Sequence, residues 1–587
     1  MHMYEGGEEK RPHHSRGIIP KNDMFGRRNK KRYAFEIEPD EVLLDARNLP
    51  QFDVHQFEGR LEKPIERKSV WLLSGIFFVI GSVFAVKLAQ LQIVDGSNYF
   101  ARAENNRLRH TPIFPARGVI TDRNGIELAW NEPGEDFPIR KYIEAEGFGH
   151  VLGYVRYPEK DNNGFYYRRD TEGVAGIEKM YEDALMGTQG VRLVEVDVHN
   201  GVVSENTMTP AEDGAPLMLS IDSRIQEAMY GYIKGLVDQI GFTGGAGAIM
   251  DIETGEIVAI VSVPEFESSV MSLGDDRAKI AGYNADNRKP FINRAVAGLY
   301  TPGSTVKPFV AAAALEEGTI TSQTSVYSSG QLVVKNKYGG PDTVFKDWKV
   351  FNRSFTVRDA IAWSCDVFFY TIGGGFGNQE GLGIERIKKY TQAFGLDTLT
   401  NVDLPGEVSG VIPDIAWKEE HFPGDPWRVG NTYHTSIGQY GFQITPIELL
   451  RATSALANGG TLVSPHVVKS IDGESAAPVG EGVTVPLGAN VLQVVREGMR
   501  MGVREGSVTG LNTSYVDVAA KTGTAELGVS KNNVNSWVTG FFPYKKPRYA
   551  FVVVMEKGPR TNLVGAVYVM RQTLDYMGVN TPEYFKE

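Results

Sequence analysis

Residues 70 to 86, VWLLSGIFFVIGSVFAV, run for 17 positions without a charge, and nothing else in the chain restricts its folding as strongly. A helix of that length rises about 25 Å, close to the roughly 30 Å of a bilayer's hydrocarbon core. Lys87 can reach toward the interface and LAQLQIV (88–94) prolongs the helix, so a single membrane span is expected. A buried core helix would also be apolar, but Arg60, Lys63, Arg67 and Lys68 crowd the N-terminal flank. That charge bias keeps the leading end of a span in the cytoplasm. No small-residue cleavage site closes the segment and a long tail precedes it, which points to an uncleaved signal anchor. Residues 1–68 are therefore expected to form a mostly disordered cytoplasmic tail, with a basic run at 21–32 that can attract anionic lipid. Residues 69–93 anchor the chain in the cell membrane as a single pass, and the rest lies outside the cytoplasm.

The 587 residues are too many for one ordinary core, so more than one domain is expected. A net charge of −11 offers no basic footprint, and no nucleic-acid partner is expected. Cys365 is the single cysteine, which excludes an intramolecular disulfide and an all-cysteine metal site. RGVITDRNGIELAWN (117–131) reads as a hairpin about Asn-Gly, and GAGAIMDIETGEIVAIVSV (245–263) as a second about Thr-Gly. The segment 173–190 reads as one amphipathic helix with its stripe at 177, 180, 181, 184 and 185. Further helices are expected at 222–240, capped by Asp222, and at 304–317, 356–374 and 446–458. Strand-like runs close the chain. Strands at both ends around a helical middle imply an α/β (α+β) domain with an antiparallel sheet and a helical subdomain. That domain is placed at 236–575, after an elongated pedestal at 94–235 and before a C-terminal tail at 576–587.

TPGSTVKPFV (301–310) sets Ser304 and Lys307 three positions apart, on one helix face. Pro308 is tolerated only near a helix start, which puts Ser304 at the N-terminus, where developing negative charge is favoured. A serine hydroxyl needs a base to become a nucleophile. Lys307 can serve only if burial and the positive charge of Lys521 strip its own proton. The pair is the only Ser-x-x-Lys in the chain, and Lys521-Thr522-Gly523 is the only Lys-[Ser/Thr]-Gly. Between them, Ser364-Cys365-Asp366 follows the apolar helical run VRDAIAW; the competing Ser470 sits in KSIDGES, an exposed turn by composition.

The ordered trio S-x-x-K, S-x-[N/D], K-T-G is the signature of the penicillin-binding serine acyltransferases. With RGVITDRNGIELA, GVAGIEKMYEDALMGTQG, NRAVAGLYTPGSTVKP, SIGQYGFQITPIELLRATSALANGG and KTGTAELG, the chain resembles class B penicillin-binding proteins from about residue 90 to 570. The resemblance implies a peptidoglycan D,D-transpeptidase. Ser304 would attack a stem peptide ending in D-Ala-D-Ala, with Lys307 as base and Ser364 relaying a proton to the leaving amine. Asp366 would orient Lys307 or the substrate amide. Lys521, Thr522, Gly523 and Thr524 would hold the terminal carboxylate, and the N–H groups of Ser304 and Thr524 would form the oxyanion hole. β-Lactams would acylate the same serine.

FKDWKVFNRSFTVRDAIAWSCDVFFY (345–370) is similar to the elongation, cell-shape branch. That branch can carry aspartate where division-type members usually have asparagine, yet an anion beside Lys307 works against the base role. Some of its members bind zinc, and Asp347 and Cys365 match that pattern. Arg353 stands where the histidine would align, and zinc needs about four ligands, so no cofactor is expected. The resemblance also implies the membrane, a lipid-linked glycan strand and a SEDS-type glycosyltransferase as partners. The other readings are a β-lactam-hydrolysing or β-lactam-sensing relative, for which a pedestal has little use, and a non-catalytic cell-wall scaffold.

Overall fold

The computed structural model describes residues 67–100, 108–162, 166–196, 202–336, 339–476, 482–528, 530–562 and 564–586. The chain divides into two units between Ala101 and Arg102. Among the described residues the first carries the helix Arg67–Ala89, whose helical path continues to Val94. None of its side chains is buried, and it is long and apolar enough to cross a membrane. So large an exposed apolar surface is stable in lipid and not in water, and it anchors the protein to a membrane. Most of the expected cytoplasmic tail, residues 1–66, lies outside the described residues.

The second unit is built on a five-stranded antiparallel sheet. Its strands are β1 (Gly244–Asp251), β2 (Ile257–Val263), β3 (Ala519–Leu527), β4 (Asn533–Phe542) and β5 (Tyr549–Pro559), in the order β2-β1-β5-β4-β3. The β1–β2 hairpin turns at Gly255, which takes a φ of 84°. Both strands are buried on both faces, which is why each reads as a nearly continuous apolar run. Around the sheet lie α1 (Ser223–Ile240), α2 (Lys307–Glu316), α3 (Val357–Trp363), α4 (Asp366–Gly374), α5 (Pro446–Ala457), α6 (Ala489–Arg504) and α7 (Ala566–Asn580). Helices α1 and α7 cover one face through Ile225, Met229, Ile233, Met570 and Leu574. Helix α5 covers the other with Ile447, Leu450 and Leu456. As the sequence suggests, α1 starts at Asp222, whose carboxylate accepts the Arg224 N–H.

The pedestal segment shares a sheet with the C-terminal part of the chain. Strand Leu217–Leu219 pairs in parallel with Ile120–Thr121 and antiparallel with Val468–Ile471. The hairpin at 117–131 forms, turning at Gly125 with a φ of 82°. The single helix expected over 173–190 is instead two short ones, Gly176–Met180 and Glu182–Leu185, broken at Tyr181. An ion network overrides the apolar stripe. Glu178 is fully buried between Arg117 (2.5 Å) and Arg140 (2.7 Å), while Met180 turns out to solvent. Truncating one member would strand a buried charge, at a cost of about 3–5 kcal/mol. Of residues 576–587, read from the sequence as a tail, the described part continues α7 to Asn580 and then buries Tyr584, whose hydroxyl donates to Asp222 (3.0 Å).

Candidate active site

Helix α2 begins at Lys307 with Pro308 in its first turn, and a 3-10 turn over Gly303–Val306 carries Ser304 just ahead of it. The face of α2 that enters the core takes Lys307 with it, to 0% exposure. There its ammonium donates to the Ser364 carbonyl (2.8 Å), the Ser364 hydroxyl (3.2 Å) and Asp366 Oδ1 (2.6 Å). The Phe369 ring lies 5.3 Å beneath it. The expected helix over 356–374 is broken between α3 and α4. Ser364 sits in the break with φ 57° and ψ 39°, a left-handed conformation that costs a non-glycine residue about 1–3 kcal/mol. From that turn Ser364 offers both its oxygens to Lys307. Lys521 Nζ meets the same hydroxyl at 2.9 Å and the Thr522 carbonyl at 2.9 Å. The Ser364 hydroxyl thus lies between two lysines, where its own proton can pass along the line.

Burial pushes Lys521 well below the ordinary lysine range, and the neighbouring Lys307 charge pushes the same way against a smaller pull from Asp366. Burial raises Asp366, with Lys307 opposing and Asp347 adding to the rise. A lysine with a lowered pKa loses its charge at a lower pH than a free amine, and with the charge goes its hold on a carboxylate. The second-order rate constant for β-lactam acylation should therefore fall on an alkaline limb well below 10.5, the ordinary lysine value. Stopped-flow acylation between neutral and alkaline pH measures this, and a flat profile contradicts it.

Strand β3 presents Lys521, Thr522, Gly523 and Thr524 along one edge of the sheet, with Lys521 buried, Thr522 half-buried and Thr524 exposed. Gly523 is required by packing: a Cβ there would lie 2.5 Å from the Pro302 carbonyl and 2.8 Å from Thr305 Cγ2. The serine-bearing turn rests directly on the strand, further held by Trp537 Nε1 donating to the Thr301 carbonyl (3.0 Å). Gly303, with a φ of 55°, faces Thr524 across this contact. A methyl at 523 must lift the turn, and a displacement near 1 Å costs a reaction about a hundredfold. Gly523→Ala should slow acylation by that factor while leaving the far-UV circular dichroism unchanged; a rate within a few-fold of wild type contradicts the packing role.

The family pattern described as the penicillin binding protein transpeptidase domain matches residues 245–574, more than half of the chain. The chain belongs to this family. A second pattern, the penicillin-binding protein dimerisation domain, matches 134–219. Peptidoglycan D,D-transpeptidase MrdA of Acinetobacter baumannii is 29% identical, over 87% of this chain and 87% of its own. The crystal structure of Pseudomonas aeruginosa PBP2 in complex with WCK 5153 is 30% identical with a TM-score of 0.65, covering 79% of this chain and 96% of that one. PBP2 of Helicobacter pylori in complex with MreC is 26% identical with a TM-score of 0.65, covering 80% and 98%.

In this penicillin-binding protein the residues singled out for zinc do not fit the ion. The Cys365 thiol donates to Asp347 Oδ2 (3.1 Å), and burial, then the Asp347 charge, pushes that thiol far above its ordinary value. Zinc needs about four ligands, and with Arg353 where a histidine would align only Asp347 and Cys365 of the pattern remain. Arg353 stacks over Phe355 and Trp363, 4.3 and 5.4 Å from the ring centres. Among the described residues no group of three or more His, Cys, Asp or Glu could hold a metal ion. Sequence reasoning missed two supports of the site. Ser507 bridges the Ala362 carbonyl (3.1 Å) and the Thr522 hydroxyl (3.4 Å), and the Gly303 N–H donates to the Gly438 carbonyl (2.9 Å). No local motif marks either.

Proposed function

We infer that this protein is an elongation-type peptidoglycan D,D-transpeptidase that crosslinks stem peptides through an acyl-enzyme on Ser304. The observation that carries the reading is the Ser364 hydroxyl held between Lys307 and Lys521, beside the turn that bears Ser304. The names of the relatives above and the family match support the reaction class. Ser304 Oγ attacks the carbonyl of the penultimate D-alanine and its proton passes to Lys307. The tetrahedral oxyanion is met by the Ser304 and Thr524 N–H groups. Collapse expels the terminal D-alanine, whose amine takes a proton through Ser364. The amine of a second stem peptide then attacks the ester and forms the crosslink; water in its place gives a carboxypeptidase. Lys521, Thr522 and Thr524 bind the terminal carboxylate, with Gly523 giving the strand its close approach.

Lys307 must be neutral when Ser304 reacts. Burial raises Asp366, and its 2.6 Å hydrogen bond from Lys307 orients the lysine inside the site. The aspartate of motif two is then the hydrogen-bond partner of the base. The basic flank of the membrane helix supports an outward-facing catalytic domain. The complex of the H. pylori relative with MreC supports assembly with a partner protein, and the family resemblance supports a SEDS-type glycosyltransferase as another.

Full-length protein in detergent, given lipid-linked glycan strands with pentapeptide stems, should form crosslinks and release at least one free D-alanine for each. Benzylpenicillin should block both through a lasting adduct. Rapid penicillin turnover without crosslinking would instead favour the hydrolase, and no reaction with either would favour the scaffold.

A further inference from the structure

The strained turn at Ser364 is gripped from both sides by one distant pair of residues, Asp347 and Trp348. On its C-terminal side, α4 follows the N-cap residue Cys365, whose side chain makes no capping hydrogen bond to the helix. The first N–H groups of a helix have no partner within it. Here the Asp347 carboxylate supplies one from 18 to 20 residues away. Oδ1 accepts the Asp366 N–H (3.0 Å), and Oδ2 accepts the Val367 N–H (3.3 Å) and the Cys365 thiol (3.1 Å). The negative charge also suits the positive end of the helix dipole. On the N-terminal side, Trp348 Nε1 donates to the Trp363 carbonyl at the end of α3 (3.2 Å). The pair is itself anchored. Oδ1 accepts the Trp348 N–H (3.0 Å), Oδ2 accepts the Ser328 hydroxyl (3.1 Å), and the Asp347 N–H donates to the Gly330 carbonyl (2.9 Å).

We propose that Asp347 and Trp348 form a metal-free clamp that brackets Ser364 and holds its hydroxyl in line with Lys307 and Lys521. Asp347 is then a positioning residue, acting on the reaction through Ser364. The five acceptor contacts of its carboxylate do, by hydrogen bonds alone, the tethering that a metal could otherwise provide. Trp348 contributes through one hydrogen bond from a side chain that is 57% exposed, so its replacement leaves the core intact. The clamp rests on the acyl-enzyme reading and deepens it.

The test is acylation of the full-length protein in detergent by a fluorescent penicillin, resolved into the non-covalent constant Ks and the acylation rate constant k2. Asp347→Asn keeps the shape but turns a donor toward N–H groups. It should lower k2 by about tenfold or more while moving Ks by less than about threefold. Trp348→Phe removes the indole donor while keeping an aromatic ring beside Phe351, and should lower k2 by about threefold, with an unchanged melting temperature. Chelator should leave wild-type k2 unchanged, and the purified protein should hold far less than stoichiometric zinc. Wild-type k2 in both variants overturns the clamp, as does stoichiometric zinc whose removal abolishes acylation. If Asp347→Asn does not fold, Trp348→Phe and the metal measurements decide. Failure of the wild type to label at all would instead sink the acyl-enzyme reading.

Discussion

Lys307→Met slows acylation of this protein, by β-lactams and by stem peptides alike, by about a thousandfold or more. Positioned general bases contribute roughly 10²–10⁴ to such reactions. Methionine fills most of the lysine's volume but cannot take a proton, so the loss is chemical before it is steric. The electrostatic consequence follows from the 2.6 Å contact with Asp366, a residue only 9% exposed. Removing its cation leaves that carboxylate unpaired in the core, at a cost of about 3–5 kcal/mol when ionised. Asp366 already sits above its ordinary range through burial, and losing Lys307 removes the main opposing pull. A carboxyl group whose folded-state pKa is raised stabilises the fold at low pH, and that stability is lost as pH rises through the folded value. The melting temperature of Lys307→Met should therefore fall further below wild type at pH 8 than at pH 5. Wild-type acylation in the variant, or a deficit that grows toward acid, would contradict the pairing.

The sequence was most legible where a residue type has few alternatives. A run of 17 uncharged residues has few stable settings, and the helix at 67–89 follows from it. Two hairpins are readable because Asn-Gly and Thr-Gly supply the positive φ that their turns require. The serine–lysine pair and the Lys-Thr-Gly strand are readable as types, and the fold gathers Lys307, Ser364, Asp366 and Lys521 through direct hydrogen bonds.

What escaped reading depends on contacts distant in sequence. No glycine or proline marks the break at Ser364, since VRDAIAWSCDVFFY keeps helical apolar spacing; the turn is held by Asp347 and Trp348 from outside. The segment 173–190 reads as one helix because a buried Glu178 looks polar until Arg117 and Arg140 arrive from distant parts of the chain. Asp347 is visible as a metal-ligand type, but its acceptor role appears only once α4 starts beside it. Asp366 looked like a liability for the base role. Its burial, invisible in the sequence, raises the carboxyl and so opposes the anionic form that would work against the base.

Everything in this scheme passes through the hydroxyl of Ser304, so the deciding measurement is the location of the penicillin adduct. The full-length protein is incubated with benzylpenicillin, digested, and its peptides are sequenced by mass spectrometry, beside a Ser304→Ala variant of equal melting temperature. One penicilloyl group per chain is expected, on Ser304, persisting long after free antibiotic is removed, with none on the variant. Losing a catalytic nucleophile costs about 10⁶ in rate, so no slow labelling should emerge in its place. An adduct on any other residue, or an adduct of undiminished yield in Ser304→Ala, would contradict the assignment outright.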